Sequence, residues 1–261
     1  MRSILRKLLF TIPVYLLSIS SLSAQNFSQE EHNGILYQVM ENDIKPEASN
    51  ALVIYLHGRS ASGNDNQKQM EQPGVSAIAK YLKKNKISSY FIVPQCPSDH
   101  EWDGRDGRPG YTDRVEELIS FYLSSGDIDP DRVYICGVSM GASGVWKLLK
   151  DNPTLFASAI IASGQTRNAS AAEFKDTPIY ITAGSDERSY GPLEWFAAEI
   201  NKAGGTVTFE LLPGKRHREA CNSAISSKRL KWMFSQIKAS GKFGFVYEWL
   251  YYKEFSGHRL F

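Results

Sequence analysis

The chain has 261 residues, of which 42% are hydrophobic and 22% charged, an ordinary balance for a globular protein. A chain of this length buries a core without disulfide support and fits one large domain better than two small ones. With 30 basic and 28 acidic side chains, the formal net charge is only +2. The composition therefore gives no support for a nucleic-acid partner, which requires a concentrated basic face.

Residues 1–24 have the pattern of a secretory signal peptide. A basic segment is followed by an apolar run from residue 8 to about residue 19, and small residues precede Ala24. The run is too short to span a bilayer and contains Pro13, so the pattern favours export with cleavage after Ala24 over a membrane anchor. We expect a secreted or periplasmic protein without stable membrane insertion after cleavage, with its main domain at residues 25–238.

Short apolar runs alternate with segments of helical periodicity along the rest of the chain. The runs predict strands at residues 35–40, 51–56, 90–93, 132–136, 157–162, 179–182 and 206–212. Helical spacing predicts helices at residues 75–85, 113–123, 141–149, 192–202 and 223–237. This alternation predicts an α/β fold with a mostly parallel central sheet and helices on both faces.

The sequence GVSMG, at residues 137–141, lies between a predicted strand and a predicted helix. It matches the G-x-S-x-G pattern of a nucleophile elbow, in which glycines make room for a tight turn and the serine is exposed at its tip. The amides that begin the following helix favour negative charge. Ligands of open α/β sheets bind beyond the carboxyl ends of the strands, so Ser139 is the predicted nucleophile.

A nucleophilic serine needs a base, and the base needs an acid that orients it. His217 is the only histidine after Ser139 in the main domain, and it lies just after a predicted strand. The order serine, acid, histidine places the acid between them. Asp186 and Glu187 both follow the strand predicted at residues 179–182. We predict Asp186, because the shorter carboxylate is the commoner choice, and keep Glu187 as the alternative.

Backbone amides are expected to hold the oxyanion of a tetrahedral intermediate. One is the amide of Met140, which follows the nucleophile, and the second belongs to the loop after an earlier strand. In the loop after residues 51–56, Gly58 lets the backbone approach a substrate. We therefore predict the amide of Arg59 as the second donor and His57 as a structural loop residue.

The chain resembles a known family most specifically around Ser139, in the stretch IDPDRVYICGVSMGASGVW, and more moderately in LHGRSASGNDN, VPQCP and KWMFSQ. The resemblance spans roughly residues 50–238. It is to single-domain bacterial esterases, described as phospholipase/carboxylesterase-like, polyhydroxybutyrate-depolymerase-like or "predicted peptidase" proteins. It implies an α/β-hydrolase fold, serine esterase activity without a metal or other cofactor, and a substrate pocket lined by Gly58 and Trp102. The alternative for Trp102 is an ordinary aromatic side chain packed in the core.

The resemblance has two further implications. The acid of the family often lies three residues past the strand-end glycine, and counting from Gly184 this residue is Glu187 rather than Asp186. The same mapping brings Cys96 and Cys221 toward the catalytic edge, so a disulfide between them competes with the alternative of free, buried cysteines.

Export and resemblance together imply extracellular esters as substrates, with feruloyl or acetyl esters of plant polysaccharides as the first choice. The alternatives are a serine peptidase of the same fold and an inactive hydrolase that serves as a carbohydrate-binding module. In residues 239–261, aromatic residues alternate and predict an edge strand without an assigned role. The sequence makes no prediction of the oligomeric state.

Overall fold

A computed structural model describes residues 27–46, 49–105 and 107–238. The predictions of a signal peptide at residues 1–24 and of an aromatic edge strand within residues 239–261 lie outside the described residues. Within the described ranges, no helix has the length and apolar character needed to cross a bilayer.

The described residues contain one eight-stranded sheet with the spatial order β1-β2-β4-β3-β5-β6-β7-β8. The strands are β1 (Phe27–His32), β2 (Ile35–Asn42), β3 (Asn50–Leu56), β4 (Ser89–Pro94), β5 (Ile128–Val138), β6 (Ser158–Ala162), β7 (Ile179–Gly184) and β8 (Val207–Leu212). β2 pairs antiparallel with both β1 and β4, and all other neighbouring strands pair in parallel.

Helices cover both faces of this sheet. They are α1 (Pro73–Lys84), α2 (Thr112–Ser124), α3 (Met140–Asp151), α4 (Tyr190–Lys202), α5 (His217–Ser223) and α6 (Ser227–Phe234). Helices α2, α3 and α4 contribute to the apolar core on one face, and α1 and α6 to the core on the other. The prediction of an α/β fold with a mostly parallel central sheet and helices on both faces is confirmed.

The central strands are continuous apolar runs because both of their faces are covered. β3, β6 and β7 are buried at every position. Successive side chains of β3 alternate between the two cores: Ile54 packs in one and Tyr55 in the other. The sheet is therefore a rigid support for the loops that leave its edge.

The register of the parallel strands aligns their carboxyl ends. Leu56, at the end of β3, pairs with Gly137 of β5, and Gly184, at the end of β7, pairs with Leu212 of β8. The loops after these strands therefore begin at the same edge of the sheet. This is the edge at which ligands of open α/β sheets bind.

The structure adds an edge strand that the sequence analysis did not predict. β1 is mostly polar and exposed, so it lacks the apolar run on which the strand predictions were based. The signal for it is the turn to β2, where Asn33 and Gly34 both have positive φ, at 47° and 81°. An Asn-Gly pair with these angles is the preferred two-residue turn of a β-hairpin.

The helix predicted at residues 223–237 is shorter, α6 at Ser227–Phe234, and it is preceded by α5 (His217–Ser223), which was not predicted. α5 ends at Ser223 and α6 begins at Ser227. Between them Ser226 is extended, with φ −130° and ψ 159°, and its side chain accepts a hydrogen bond from the amide of Arg229. This serine is an N-cap, and it starts α6 four residues later than the apolar periodicity alone predicted.

Candidate active site

Ser139 lies at a sharp turn between β5 and α3, with φ 54° and ψ −117°. A residue with a side chain rarely adopts such angles, and strain of this kind is concentrated at functional sites. The Ser139 N–H donates a hydrogen bond of 2.8 Å to the carbonyl oxygen of Ala162. This bond to the end of β6 helps to hold the strained residue in place.

The two glycines around Ser139 are required by close backbone contacts. A Cβ atom on Gly137 would lie 2.5 Å from the carbonyl oxygen of Gly141, and a Cβ atom on Gly141 would overlap the carbonyl oxygen of Leu56. The G-x-S-x-G pattern is therefore explained here by the packing of α3 against the ends of β5 and β3.

Replacing Gly141 with alanine should strongly destabilise the protein. The added methyl group meets backbone atoms, which cannot move aside as a flexible side chain can, so we expect a loss of several kcal/mol. Gly191, in α4, is the matched control, because a Cβ atom there meets nothing within 4 Å. Gly191→Ala should instead stabilise the fold by about 0.5 to 1 kcal/mol. Denaturant unfolding of both variants measures the difference, and equal stabilities would contradict this account.

Three side chains from different loops form one hydrogen-bonded chain. The Oγ atom of Ser139 lies 2.8 Å from Nε2 of His217, and Nδ1 of His217 lies 2.9 Å from Oε2 of Glu187. His217 is the first residue of α5 rather than a loop residue, and Glu187 follows β7. This serine, histidine and carboxylate arrangement can activate a hydroxyl group as a nucleophile.

Glu187 is only 6% exposed, and its carboxylate accepts several hydrogen bonds. Oε1 accepts from the amide of Gly184 at 2.7 Å and from the hydroxyl of Ser163 at 2.6 Å. Burial opposes ionisation, but the hydrogen bonds from His217, Ser163 and Gly184 outweigh it and lower the pKa of Glu187. The group is therefore a buried carboxylate held in one orientation beside the histidine.

The prediction of Asp186 as the acid is wrong, and the alternative, Glu187, occupies the position beside His217. The amide of Glu187 bonds to the carbonyl of Gly184, which closes a tight turn. In this turn Asp186 is exposed, and its carboxylate accepts a hydrogen bond from the neighbouring Ser185. The side chain of Glu187, the next residue along the turn, is buried against His217.

A thiol lies beside the same nitrogen of His217 that contacts the serine. The Sγ atom of Cys221, one turn further along α5, is 3.9 Å from Nε2. The Cys221 thiol and the Glu187 carboxylate raise the pKa of His217, and burial of the ring only partly opposes them. The neutral imidazole needed for proton abstraction therefore forms at a higher pH than for an ordinary histidine.

The pH dependence of activity should report this shift. Only neutral His217 accepts the proton of Ser139, so kcat/KM should rise with pH through a midpoint above the ordinary value of about 6.5. Cys221→Ala removes one contribution and should move that midpoint to lower pH. The adjacent exposed Asn222 provides a control on the same helix, and Asn222→Ala should leave it in place. An unmoved midpoint in Cys221→Ala would contradict a role for the thiol.

The predicted oxyanion donors lie around the nucleophile. A Cβ atom on Gly58 would be 3.6 Å from Cβ of Ser139, so this loop passes directly beside the serine. Arg59 is the first residue of a short 3-10 helix near the start of this loop. Met140 is the first residue of α3, so its amide has no partner within the helix.

His57 has the structural role that the sequence analysis expected. The amide of Cys96 donates to Nε2 at 3.0 Å, so Nδ1 carries the proton and donates to the carbonyl of Gly58 at 2.8 Å. Burial lowers the pKa of His57 to about 4, and the ring stays neutral. His57 thus joins the loop after β3 to the loop after β4.

Of the two interpretations of Trp102, the pocket position is wrong and the packed core aromatic is confirmed. The side chain is fully buried, and its indole N–H donates to the carbonyl of His57 at 3.0 Å. A Cβ atom on Gly144 would lie 2.5 Å from Cβ of Trp102, so the indole packs closely against α3. Trp102 therefore packs between the loop after β3 and α3 and does not face a substrate.

Buried amides hold the same loop further along. Asn66 has φ 50°, and its N–H donates to Oε1 of Gln95 at 2.7 Å. Its side-chain amide donates to the carbonyl of Tyr37 at 2.9 Å, and its Oδ1 accepts from Gln69 at 2.6 Å. These bonds anchor the loop after β3 to β2 and β4. Neither Gln95 nor Ser163 was among the predicted site residues, although Ser163 directly follows a predicted strand and Gln95 lies two residues after another.

The structure does not contain the disulfide between Cys96 and Cys221, and both are free thiols. Cys96 is buried in the core on the face covered by α2, α3 and α4. Cys221 packs against the core on the opposite face. The sheet separates the two sulfur atoms, so the resemblance placed them at the correct edge but not on the same side.

No protein-family model matches the chain. The chain is 25% identical over 215 residues to the carboxylesterase SOBER1 of Arabidopsis thaliana, covering 71% of this chain and 89% of the relative. It is 26% identical over 167 residues to a poly(3-hydroxybutyrate) depolymerase of Ralstonia pickettii, covering 58% of this chain and 32% of the relative. The chain therefore spans about a third of the length of the depolymerase.

Solved structures share the fold. A thermostable esterase superposes with a TM-score of 0.73 at 24% identity, over 81% of this chain and 63% of that chain. A ferulic acid esterase superposes with a TM-score of 0.59 at 16% identity, over 77% of this chain and 92% of that chain. Fold and site together define a serine hydrolase of the α/β-hydrolase fold. The resemblance to the esterases of this fold is confirmed.

Proposed function

We propose that the protein is an exported serine esterase that hydrolyses carboxylic esters through an acyl-enzyme. The observation that carries the proposal is the chain of hydrogen bonds from Ser139 through His217 to the buried Glu187. The relatives support an ester substrate rather than a peptide, since they are named carboxylesterase and poly(3-hydroxybutyrate) depolymerase.

The first half-reaction acylates the serine. His217 Nε2 takes the proton of Ser139 while Oγ bonds to the ester carbonyl carbon, and the carbonyl π electrons move to the oxygen. The amides of Met140 and Arg59 donate to this oxyanion, and the loss of one such donor costs about 3 kcal/mol of transition-state stabilisation. The carbonyl then re-forms, and the ester C–O bond breaks. The alcohol leaves with the proton from the imidazolium.

The second half-reaction releases the acid. A water molecule takes the place of the alcohol, His217 removes its proton, and the hydroxide oxygen attacks the acyl carbon. Collapse of the second tetrahedral intermediate returns the proton to Ser139 Oγ. Through both halves Glu187 keeps the Nδ1–H of His217 oriented and stabilises the imidazolium without accepting its proton.

For the natural substrate, we propose feruloyl or acetyl esters of plant polysaccharides. Two features support this class: the predicted signal peptide, which would deliver the enzyme to extracellular polymers, and the fold shared with a ferulic acid esterase. A substrate panel tests the class. It comprises p-nitrophenyl esters of increasing acyl length, methyl ferulate and a peptide p-nitroanilide.

We expect hydrolysis of methyl ferulate or of the short p-nitrophenyl esters and none of the anilide. Cleavage of the anilide at a comparable kcat/KM would favour a peptidase. No turnover of any ester would favour the inactive carbohydrate-binding module. Ser139→Ala is the control in each assay, because hydrolysis that survives this substitution does not come from the site.

A further inference from the structure

A half-open cavity of about 220 Å³ lies between the loop after β6 and the start of α4. Its polar wall consists of Gln165, Thr166 and Asn168, and Trp195 and Phe196 form most of its aromatic wall. No residue that lines the cavity in the described part of the chain is charged. Amide and hydroxyl groups can both donate and accept hydrogen bonds, so the lining suits a neutral ligand that carries hydroxyl groups.

Trp195 is unusual because it is 63% exposed. A tryptophan side chain combines a large apolar face with an N–H group, and such side chains are enriched where a ligand or partner is bound. An aromatic acyl group would bind more tightly in an enclosed apolar slot, because such a slot removes its ring from water. An open indole face next to amides fits the flat C–H face of a sugar ring, which keeps its hydroxyl groups at the edge.

The aromatic wall is already packed before any ligand binds. The ring of Phe196 lies 5.7 Å from that of Trp146 and 5.8 Å from that of Phe174. The ring of Trp195 lies 6.4 Å from that of Phe196. Phe196 is partly buried, and the rings of Trp146 and Phe174 behind it are buried, so the aromatic wall has packed support before a ligand stacks there.

Short contacts connect the cavity to the nucleophile. A Cβ atom on Gly164 would lie 2.5 Å from the carbonyl oxygen of Ser139, and Gln165, the next residue, lines the cavity. The carbonyl of Gln165 accepts a hydrogen bond from Ser143, one turn along the helix that follows the nucleophile. The loop that lines the cavity therefore packs directly against the backbone of the nucleophile and of the helix that follows it.

We propose that this cavity is a subsite for a neutral sugar unit of the substrate, with Trp195 as the stacking surface and Gln165 and Asn168 as hydrogen-bonding groups. This inference rests on the proposed esterase function. It adds that the enzyme recognises the carbohydrate alcohol of the ester and not only its acyl group.

Matched ester pairs test the subsite, because the members of a pair share the acyl group and differ in the alcohol. Methyl ferulate is compared with a feruloylated arabinoxylan oligosaccharide, and ethyl acetate with an acetylated xylo-oligosaccharide. Trp195→Ala should lower kcat/KM for the sugar esters by about tenfold more than for the simple esters. Phe121→Ala removes another exposed aromatic ring, which lies on α2 and does not line the cavity. It should leave the ratio of kcat/KM values for the sugar ester and the simple ester unchanged.

Two results would overturn the sugar subsite. An equal loss on both members of a pair would assign the cavity to the acyl group, and no loss on either would leave Trp195 without a role in binding. If the wild-type protein hydrolyses no ester, the proposed function fails by itself. The subsite is then tested by calorimetric titration with unesterified xylo-oligosaccharide, whose binding should be lost in Trp195→Ala and kept in Phe121→Ala.

Discussion

Ester hydrolysis by Ser139→Ala should fall about 10⁴-fold or more in kcat, because no other group takes over the covalent step. His217→Ala should fall by a similar factor, and the double variant should fall little further, since the two side chains act as one unit. Steady-state hydrolysis of p-nitrophenyl acetate by the purified variants measures the loss. Full additivity of the two losses would contradict a shared step.

Ser139→Gly separates loss of activity from loss of folding. Glycine adopts positive φ without strain, so this variant should be as inactive as Ser139→Ala. It should also gain about 1 kcal/mol of stability from relief of the strained turn. Thermal unfolding checks the second expectation. A destabilised Ser139→Gly variant would contradict the view that the angles at this residue are held against a conformational cost.

Glu187→Gln should lower kcat by about 10³-fold to 10⁴-fold, because a neutral amide does not stabilise the imidazolium and can hold the wrong tautomer. Asp186→Asn is the matched control one residue away, and it should change kcat by less than about twofold, as expected for an exposed side chain. Loss of the Glu187 charge should also lower the pKa of His217 and move the acidic limb of the pH profile to lower pH. Both variants are measured with one ester across the pH range.

The opposite pattern, with Asp186→Asn inactive and Glu187→Gln active, would contradict the geometry of the turn after β7. A loss in both variants would also contradict it, unless Asp186→Asn unfolds at lower denaturant concentration. Denaturant unfolding of the two variants separates these cases, since the Asp186 side chain is exposed and accepts a hydrogen bond from its neighbour Ser185.

Much of the fold could be predicted because burial on both faces leaves a strong mark in the sequence. Apolar runs such as Ala51 to Leu56 occur where helices cover a strand, and their alternation with helical segments indicates a parallel sheet. β1 was missed because an exposed edge strand carries no such run. Its Asn33-Gly34 turn was a usable signal that the apolar pattern did not include.

The nucleophile and the base were predictable because each depends on order and on strand ends, which the chain itself displays. The acid could not be predicted from order alone, because neighbouring side chains of a tight turn face different directions. Only the family resemblance, which counts three residues from Gly184, indicated Glu187. The longer side chain of Glu187 reaches back to Gly184 and Ser163. Trp102 likewise could not be assigned, because an indole in a core and one in a pocket read alike in sequence.

Of the two alternatives for Cys96 and Cys221, the disulfide is absent for a topological reason. Cys96 and Cys221 both belong to the catalytic edge, but contacts on the two faces of a sheet cannot be read from strand ends alone. Because α5 lies on the face opposite α2, α3 and α4, the Cys221 thiol is kept away from Cys96. The same position places the Cys221 thiol near His217.

Reaction with a fluorophosphonate, followed by intact-mass measurement and peptide mapping, tests the central claim most directly. Only a serine activated by a neighbouring base reacts readily with this reagent. We predict one adduct per chain, located on Ser139, with none in Ser139→Ala and strongly slowed labelling in His217→Ala. An adduct on a different residue, or a wild-type protein that remains unlabelled, would contradict the assignment of Ser139 as the nucleophile.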